Sequence, residues 1–387
     1  MSDYWRSEAA TGMTIPEATN SDPDPLEHES RIDVAPQWKL TWWKFRQNRL
    51  AVIGAIITIL IYFVAGTAEF FAPFPSEVVS AQHTYAPPQP LHLFDNGQLR
   101  PFVNGYTVEI EPEAMRRVFV VDPEVKYYVR FFGAGEPYKL LGLFDTDIHL
   151  IVPEDPDATM YLLGADSLGR DVLSRMIYGA RVSMSVGLLG VAISFILGII
   201  LGGISGYYGG WVDNLIQRVI EFLRSIPSIP LWMGLAAALP AGMPPLQVYF
   251  FITIILSFLG WTSLARVVRG RFLALRTEDF VIAAELDGNS RFRTIWRHMV
   301  PSFMSHIIAS LTLAIPGMIL AETSLSFLGL GLRSPVVSWG VLLQDAQNIR
   351  AISSAPWLFW PGVAVVIAVL ALNFMGDGLR DAADPYD

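Results

Sequence analysis

The stretch Phe280-Val-Ile-Ala-Ala-Glu-Leu-Asp-Gly-Asn-Ser-Arg-Phe-Arg-Thr-Ile-Trp-Arg-His-Met-Val-Pro301 decides how the rest of the chain is read. It is charged and amphipathic, and it sits between two long apolar runs. Arg266, Arg269, Arg271, Arg276, Arg291, Arg293 and Arg297 crowd around it. Glu278 and Asp279 open a helix where negative charge suits the N-terminal end of the dipole. Ala283, Ala284 and Gly288 then fall close to one face, because successive residues are set about 100° apart. Gly288-Asn-Ser290 ends that helix. A second helix is expected from near Arg291, stopping before Pro301. The pattern predicts a helix–turn–helix outside the membrane, small on one side and basic on the other. Small residues there leave room for another backbone to press close, so something docks on this loop.

The flanks of the loop are membrane-like. Of 387 residues, 52% are hydrophobic and 16% charged, and the mean hydropathy is +0.41. A soluble domain has about 25% charged residues. Six segments approach the roughly 20 apolar residues that a bilayer requires, at about 50–72, 182–207, 215–238, 247–268, 302–328 and 357–377. The third carries Arg218, Glu221 and Arg224 early, then Pro227 and Pro230. It is expected to be kinked, with a polar cytosolic end. The fold class that follows is an all-α integral membrane protein with six transmembrane helices.

Orientation follows from Lys and Arg in the short flanks. Lys39, Lys44, Arg46 and Arg49 precede the first span, the arginine cluster lies between spans four and five, and Arg380 follows the sixth. All three fall on one side if both termini are cytosolic. Residues 1–36, with Asp22-Pro-Asp-Pro25, Glu27 and Glu29, have no apolar core. They read as a disordered cytosolic tail and not as a signal peptide. In 37–49, Trp38, Trp42 and Phe45 share a face that Lys39 and Arg46 avoid, which suits an interfacial helix against membrane lipid. Residues 73–181 form one long extracytoplasmic insertion. Its runs Arg117-Val-Phe-Val-Val121, Lys126-Tyr-Tyr-Val-Arg-Phe-Phe132 and His149-Leu-Ile-Val152 are β-like and punctuated by Pro and Gly. Residues 182–387 then hold a five-helix core with the loop at 269–301.

Several function classes are excluded. A formal net charge of -9 argues against nucleic-acid binding. Without cysteine there is no disulfide, iron–sulfur cluster or thiolate zinc site. His298 has no second ligand at metal spacing, so no metal site is expected. No phosphate loop of the form G-x-x-x-x-G-K-[ST] is present; Gly164-Ala-Asp-Ser-Leu-Gly169 is followed by Arg170 and Asp171 and lacks the lysine. The chain therefore hydrolyses no ATP itself, and no catalytic residue is expected. A stand-alone secondary transporter would need internal repeats and buried acidic ion sites. Only Glu322, within the fifth span, is a candidate. No channel filter sequence appears.

Four ordered motifs carry a resemblance. Ala283-Ala284 with Gly288, then His298 and Pro301, resembles the EAA loop of ABC importer permeases. Leu163-Gly-Ala-Asp-Ser-Leu-Gly-Arg-Asp-Val-Leu-Ser-Arg-Met-Ile-Tyr-Gly-Ala-Arg181 is similar to the signature before the second span of oligopeptide and dipeptide permeases. So are Glu322-Thr-Ser-Leu-Ser-Phe-Leu-Gly-Leu-Gly331 with Ser338-Trp-Gly340, and the ending Asn373-Phe-Met-Gly-Asp-Gly-Leu-Arg-Asp-Ala-Ala-Asp-Pro385. Together they match the C-type subunit of that family. The likeness covers 37–72 and 160–387. Glu285 departs from it, standing where a small or basic residue is common, and the 73–181 insertion is longer than in the shortest members.

The resemblance implies the type I ABC importer permease fold and half of a translocation pathway in a bacterial or archaeal plasma membrane. A second, homologous six-helix permease would supply the other half. Two ABC ATPase subunits, holding the ATP and Mg, would dock on the coupling loops. An extracytoplasmic binding protein would deliver the solute, with oligopeptides expected and oligosaccharides as the alternative. On this chain the ATPase-coupling residues would be Ala283, Ala284, Glu285, Gly288, Arg291, Arg297, His298 and Pro301.

Other candidates come from the residues themselves. Glu322 is an ionisable group at membrane depth, which is costly unless it faces a cavity or a partner. It reads as a pathway-lining residue or as a structural hydrogen-bond acceptor. Arg218, Glu221 and Arg224 can pair along a helix; they read as a cytosolic gate or as charge at a membrane edge. Gly198-x-x-x-Gly202-x-x-x-Gly206 places a small-residue stripe on the second span, suited to close helix packing. Asp166, Arg170 and Asp171 at the mouth of that span could contact a binding protein, or the helix could be capped by Ser167 or Asp166.

Overall fold

In the computed structural model the described residues are 37–111, 116–155, 157–240, 242–348 and 353–383. The expected tail at 1–36 lies outside them, as does the end of the C-terminal motif. Twelve named helices and one sheet follow in chain order. Helix α1 is Gln37–Gln47, α2 is Arg49–Gly66 and α3 is Ala68–Phe71. The strands are β1 His92–Asp95, β2 Gln98–Glu111, β3 Arg116–Leu140 and β4 Phe144–Pro153. Then come α4 Val172–Tyr208, α5 Gly210–Ser225, α6 Ser228–Ala237 and α7 Pro245–Leu275. The loop region holds α8 Asp279–Leu286 and α9 Arg291–Thr294, and the chain closes with α10 Met304–Phe327, α11 Trp339–Gln344 and α12 Trp360–Ala383.

Among the described residues, five helical stretches are long and apolar enough to cross a membrane: Arg49–Gly66, Val172–Tyr208, Pro245–Leu275, Ile307–Phe327 and Pro356–Ala383. The third expected span, 215–238, bends at Pro227 as expected, but the bend is a full break. It is not one helix but two. Ile226 is extended (φ -88, ψ 127) because it precedes Pro227. Before the break, α5 is strongly amphipathic: Ile220 and Leu223 are buried against Trp261 and Ala265, while Arg218 and Glu221 face outward. After it, α6 is apolar but only 10 residues long, about half a bilayer at 1.5 Å per residue.

Helix starts are set by local chemistry. Asn48 caps α2 by accepting the Ala51 N–H (3.2 Å) and Ser338 caps α11 by accepting that of Val341 (3.2 Å). Asp171 caps α4 through the Ser174 N–H (2.7 Å), so the cap is neither Ser167 nor Asp166. Pro245 stands in the first turn of α7, where its missing N–H is no loss. In α1, Phe45 is buried with Ala51 and Ala382, whereas Trp42 stays half exposed and stacks on Phe45 at 5.9 Å.

The centre of the membrane unit is the α4–α7 pair. A Cβ added at Gly202 would lie 2.4 Å from the Ala265 carbonyl oxygen; at Gly206 it would lie 2.7 Å from that of Arg269, and at Gly198 2.9 Å from the Leu264 side chain. At Gly202 and Gly206 the backbones touch because nothing projects between them, while at Gly198 the Leu264 side chain fills the space. At its end, Asp213 of α5 receives two hydrogen bonds from Arg269, both 2.5 Å, which clamp the amphipathic helix to α7.

The four strands form an antiparallel sheet in the order β1-β2-β3-β4. The β-like runs 117–121 and 126–132 are parts of one long strand, β3, and 149–152 lies in β4. The core beneath the sheet joins Val103, Val129, Ile151 and Met160 to Phe74, Leu91 and Leu162.

Candidate functional site: the 279–302 loop and the core behind it

The loop is packed onto the ends of α4 and α7. Val281, Ile295, Met299 and Val300 share a buried cluster with Ile199 of α4 and Leu264, Val268 and Phe272 of α7. Gly288 has φ +77 with open space around it, so its backbone conformation alone demands glycine. Ser290 then accepts the Arg293 N–H to start α9. The second helix does not stop before Pro301, which corrects the expectation. The turn widens to a π-helix over Ile295–Met299, and Val300–Ser302 continues helically with Pro301 in its first turn. Widening lets the chain pass a residue that has no N–H to give back.

The expected coupling residues are thereby sorted. Ala284 is buried against the chain's own residues. Ala283, Glu285, Gly288, Arg291, Arg297 and Pro301 are exposed, and His298 is intermediate. The Glu285 carboxylate accepts the Tyr207 hydroxyl, tying α8 to the end of α4. Arg291 lies over the Tyr208 ring at 5.4 Å. Sequence reasoning missed the apolar part of this surface. Leu286 is 83% exposed and Phe292 71%, and Phe280, Ile282 and Trp296 are also open. Apolar residues in a sequence read as core, and only the turn at Gly288 puts these two outside. Large apolar side chains left open in this way suit contact with another surface.

Glu322 sits elsewhere, fully buried in α10. Three hydroxyls converge on its carboxylate: Ser326 and Ser338 donate to Oε1, each at 2.8 Å, and Ser183 donates to Oε2 at 3.3 Å. Each serine oxygen also accepts a backbone N–H, from Leu332, Val341 and Trp339 respectively. Its single hydrogen is therefore free for the carboxylate. The side chain joins α4, α10 and the start of α11, and both oxygens face hydroxyls instead of open space.

The other candidates are also placed. Arg218 pairs with Glu221 at 2.8 Å on an exposed face, and Arg224 donates to Ser263 Oγ at 2.9 Å. Asp166 is buried; Oδ1 accepts the Leu168 and Arg170 N–H groups, and Oδ2 accepts Arg170 Nε at 2.7 Å. It holds the 166–170 turn together. Desolvation raises the neighbouring Asp171 carboxyl to about 6. A cavity of about 410 Å³ opens between α6, the start of α7 and residues 330–336, lined in part by Leu239, Met243, Val248 and Arg333. Among the described residues no acidic or histidine cluster could hold a metal ion.

Residues 194–386 match the family described as "Binding-protein-dependent transport system inner membrane component". Residues 36–88 match "N-terminal TM domain of oligopeptide transport permease C". The dipeptide transport system permease protein DppC of Bacillus subtilis (strain 168) is 38% identical over 232 residues, covering 59% of this chain and 70% of the relative. The oligopeptide transport system permease protein OppC of the same organism is 36% identical over 238 residues, covering 61% and 75%. OppC of Haemophilus influenzae (strain ATCC 51907 / DSM 11121 / KW20 / Rd) is 38% identical over 244 residues, covering 63% and 76%. A buried helix pair, a rigid loop with an open apolar face and these relatives agree: the chain belongs to the membrane permease subunits of binding-protein-dependent ABC importers, in the oligopeptide and dipeptide permease C family, and it is a transport subunit and not an enzyme.

Proposed function

We propose that the chain forms half of a peptide-import pathway, paired with a second six-helix permease and driven by two ATPase subunits seated on the 279–302 loop. The observation that carries this is the loop itself. Leu286 and Phe292 stand open on a support that Val281, Ile295 and Met299 fix to α4 and α7. ATP and Mg belong to the ATPase partners. The loop then faces the cytosol together with both chain termini, and an extracytoplasmic binding protein delivers solute to the other side of a plasma membrane. Oligopeptides are favoured over oligosaccharides because the relatives above are named for dipeptide and oligopeptide transport.

The test uses Leu286→Asp and Phe292→Asp in the co-expressed complex. Both side chains are exposed, so the permease itself should fold normally. The expected result is loss of ATPase co-purification and of peptide uptake, with the second permease still bound. Full ATPase recovery and unchanged uptake in both variants would reject the proposed seat.

A further inference from the structure

Residues 89–193 lie outside both family matches, and one feature there has no part in the transport scheme above. The β3–β4 hairpin ends in Leu140-Leu-Gly-Leu-Phe144. Leu141, Leu143 and Phe144 are 59%, 76% and 65% exposed. Leu141 and Gly142 both have positive φ (54 and 71). Asn-Gly or Asp-Gly is the usual choice for such a turn, and leucine in left-handed geometry is disfavoured. The tip therefore carries apolar side chains where local backbone preference calls for polar ones. Lys139 and Asp145 bracket it, 3.7 Å apart.

The root of the hairpin lies at the end of the first span. The His149 ring nitrogens are 3.0 Å from the Ala72 carbonyl oxygen and 2.9 Å from that of Glu136. Tyr138 packs on His149 at 4.8 Å. Close by, Arg181 pairs with Glu69 at 2.6 Å and donates to the Ala65 carbonyl oxygen that ends α2 (2.9 Å). A row of phenylalanines continues from the span to the hairpin. Phe63, 57% exposed on the flank of α2, meets Phe71 at 5.9 Å. Phe71 meets Phe70 at 5.1 Å, and Phe70 meets Phe132 at 6.1 Å. The row carries the aromatic flank of the span onto Phe132 of β3, and Leu141, Leu143 and Phe144 stand exposed further out along the same hairpin. The tip is five residues beyond Gly135, an overhang of roughly 15 Å at about 3.3 Å per residue.

We propose that this hairpin tip is a membrane anchor, with Leu141, Leu143 and Phe144 seated in the lipid leaflet on the sheet's own side of the bilayer. That leaflet is the outer one under the orientation proposed above. Aromatic rings at the interface and apolar side chains buried about 5–10 Å into the headgroup boundary suit such a site. The anchor holds the sheet down at its far end, while its other end rests on the mouth of α4 through Tyr106, Phe119 and Tyr161.

The chain has no cysteine, so single-cysteine variants can be labelled cleanly. Leu143→Cys and Phe144→Cys carry a fluorophore, with Glu124→Cys on the exposed middle of β3 as the aqueous reference. The full-length chain in its co-expressed complex is reconstituted into phosphatidylethanolamine and phosphatidylglycerol vesicles containing a shallow acyl-chain nitroxide. Labels at 143 and 144 should be quenched by the lipid nitroxide several-fold more than the label at 124, and shielded from aqueous iodide. Adding Leu143→Asp to the Phe144→Cys variant should reverse both. Iodide quenching at 143 and 144 equal to that at 124 would overturn the proposal, because the tip would then lie in water. Protection from both quenchers would also overturn it, because a protein partner would then cover the tip. Neither failure touches the ATPase seat on the opposite end of the molecule.

Discussion

Replacing Gly202 by alanine tests whether α4 and α7 are held by backbone contact. The added methyl would stand 2.4 Å from the Ala265 carbonyl oxygen and 2.8 Å from its Cα. Both are backbone atoms and cannot rotate aside, so ordinary contact near 3.4 Å requires the helices to part by about 1 Å. The same methyl at Gly270 of α7 or Gly317 of α10 meets nothing within 4 Å. Glycine to alanine at an open helical position gains roughly 0.5–1 kcal/mol. Forcing a methyl into a packed contact costs roughly 1–3 kcal/mol. Gly202→Ala should therefore lose about 1–2 kcal/mol net and Gly270→Ala should gain about 0.5–1 kcal/mol. The measurement is thermal unfolding of the purified chain in one detergent at one scan rate, since such transitions are rate-dependent. The two variants should move in opposite directions by a few degrees. Equal shifts, or a Gly202→Ala protein at or above wild type, would refute the contact geometry.

Glu322→Gln should be mild. Its oxygen can still accept from Ser326 and Ser338, and its amide can donate to Ser183 in place of accepting. Glu322→Ala instead strands three buried hydroxyls, at roughly 1–3 kcal/mol each by soluble-protein values and less by membrane-protein measurements; unfolding and uptake assays should show Ala severe and Gln near wild type. A Gln variant that is stable but fails in uptake would make Glu322 a pathway group. Asp171 gives a pH prediction. Its folded carboxyl lies at about 6, above the unfolded value of about 3.9. Folding takes up a proton between them, so this group's stability contribution is full below about pH 4 and falls as pH rises through 6. Asp171→Asn keeps the cap and removes the charge. Unfolding followed from acid to neutral pH should show a smaller decline than wild type; an identical profile would rule out the raised carboxyl.

Different physical signals decided what the sequence revealed. The glycines at 198, 202 and 206 repeat every four residues, and a repeat of that spacing speaks for close helix approach before any coordinates exist. The charged loop was visible because arginines are rare between spans. In span 215–238 the prolines announced a kink, but its depth, a full break into two helices, depends on one backbone angle at Ile226. Strand β2 was not legible, since Pro101 and Gly105 interrupt its alternation and its register shifts at Asn104/Gly105. Leu286 and Phe292 could not be assigned to a surface from sequence, because exposure depends on how Gly288 turns the chain.

The inward-facing Ala284 gives the loop its mechanical character. Val281 and Ala284 bury one side of α8, and Glu285 is tied to Tyr207. Leu286 and Phe292 are therefore backed by residues that pack on Phe272 of α7 and Ile199 of α4. Those two helices meet backbone to backbone at Gly202 and Gly206. Asp213 and Arg269 add α5 to the same body. Coupling needs a rigid element that touches both the driving site and the moving part. Under the proposed function that element is larger than the loop, and it comprises α8, α9, α4, α7 and α5 together. Just outside that set, the backbone departs from helix at Ile226-Pro227, between α5 and the short apolar α6.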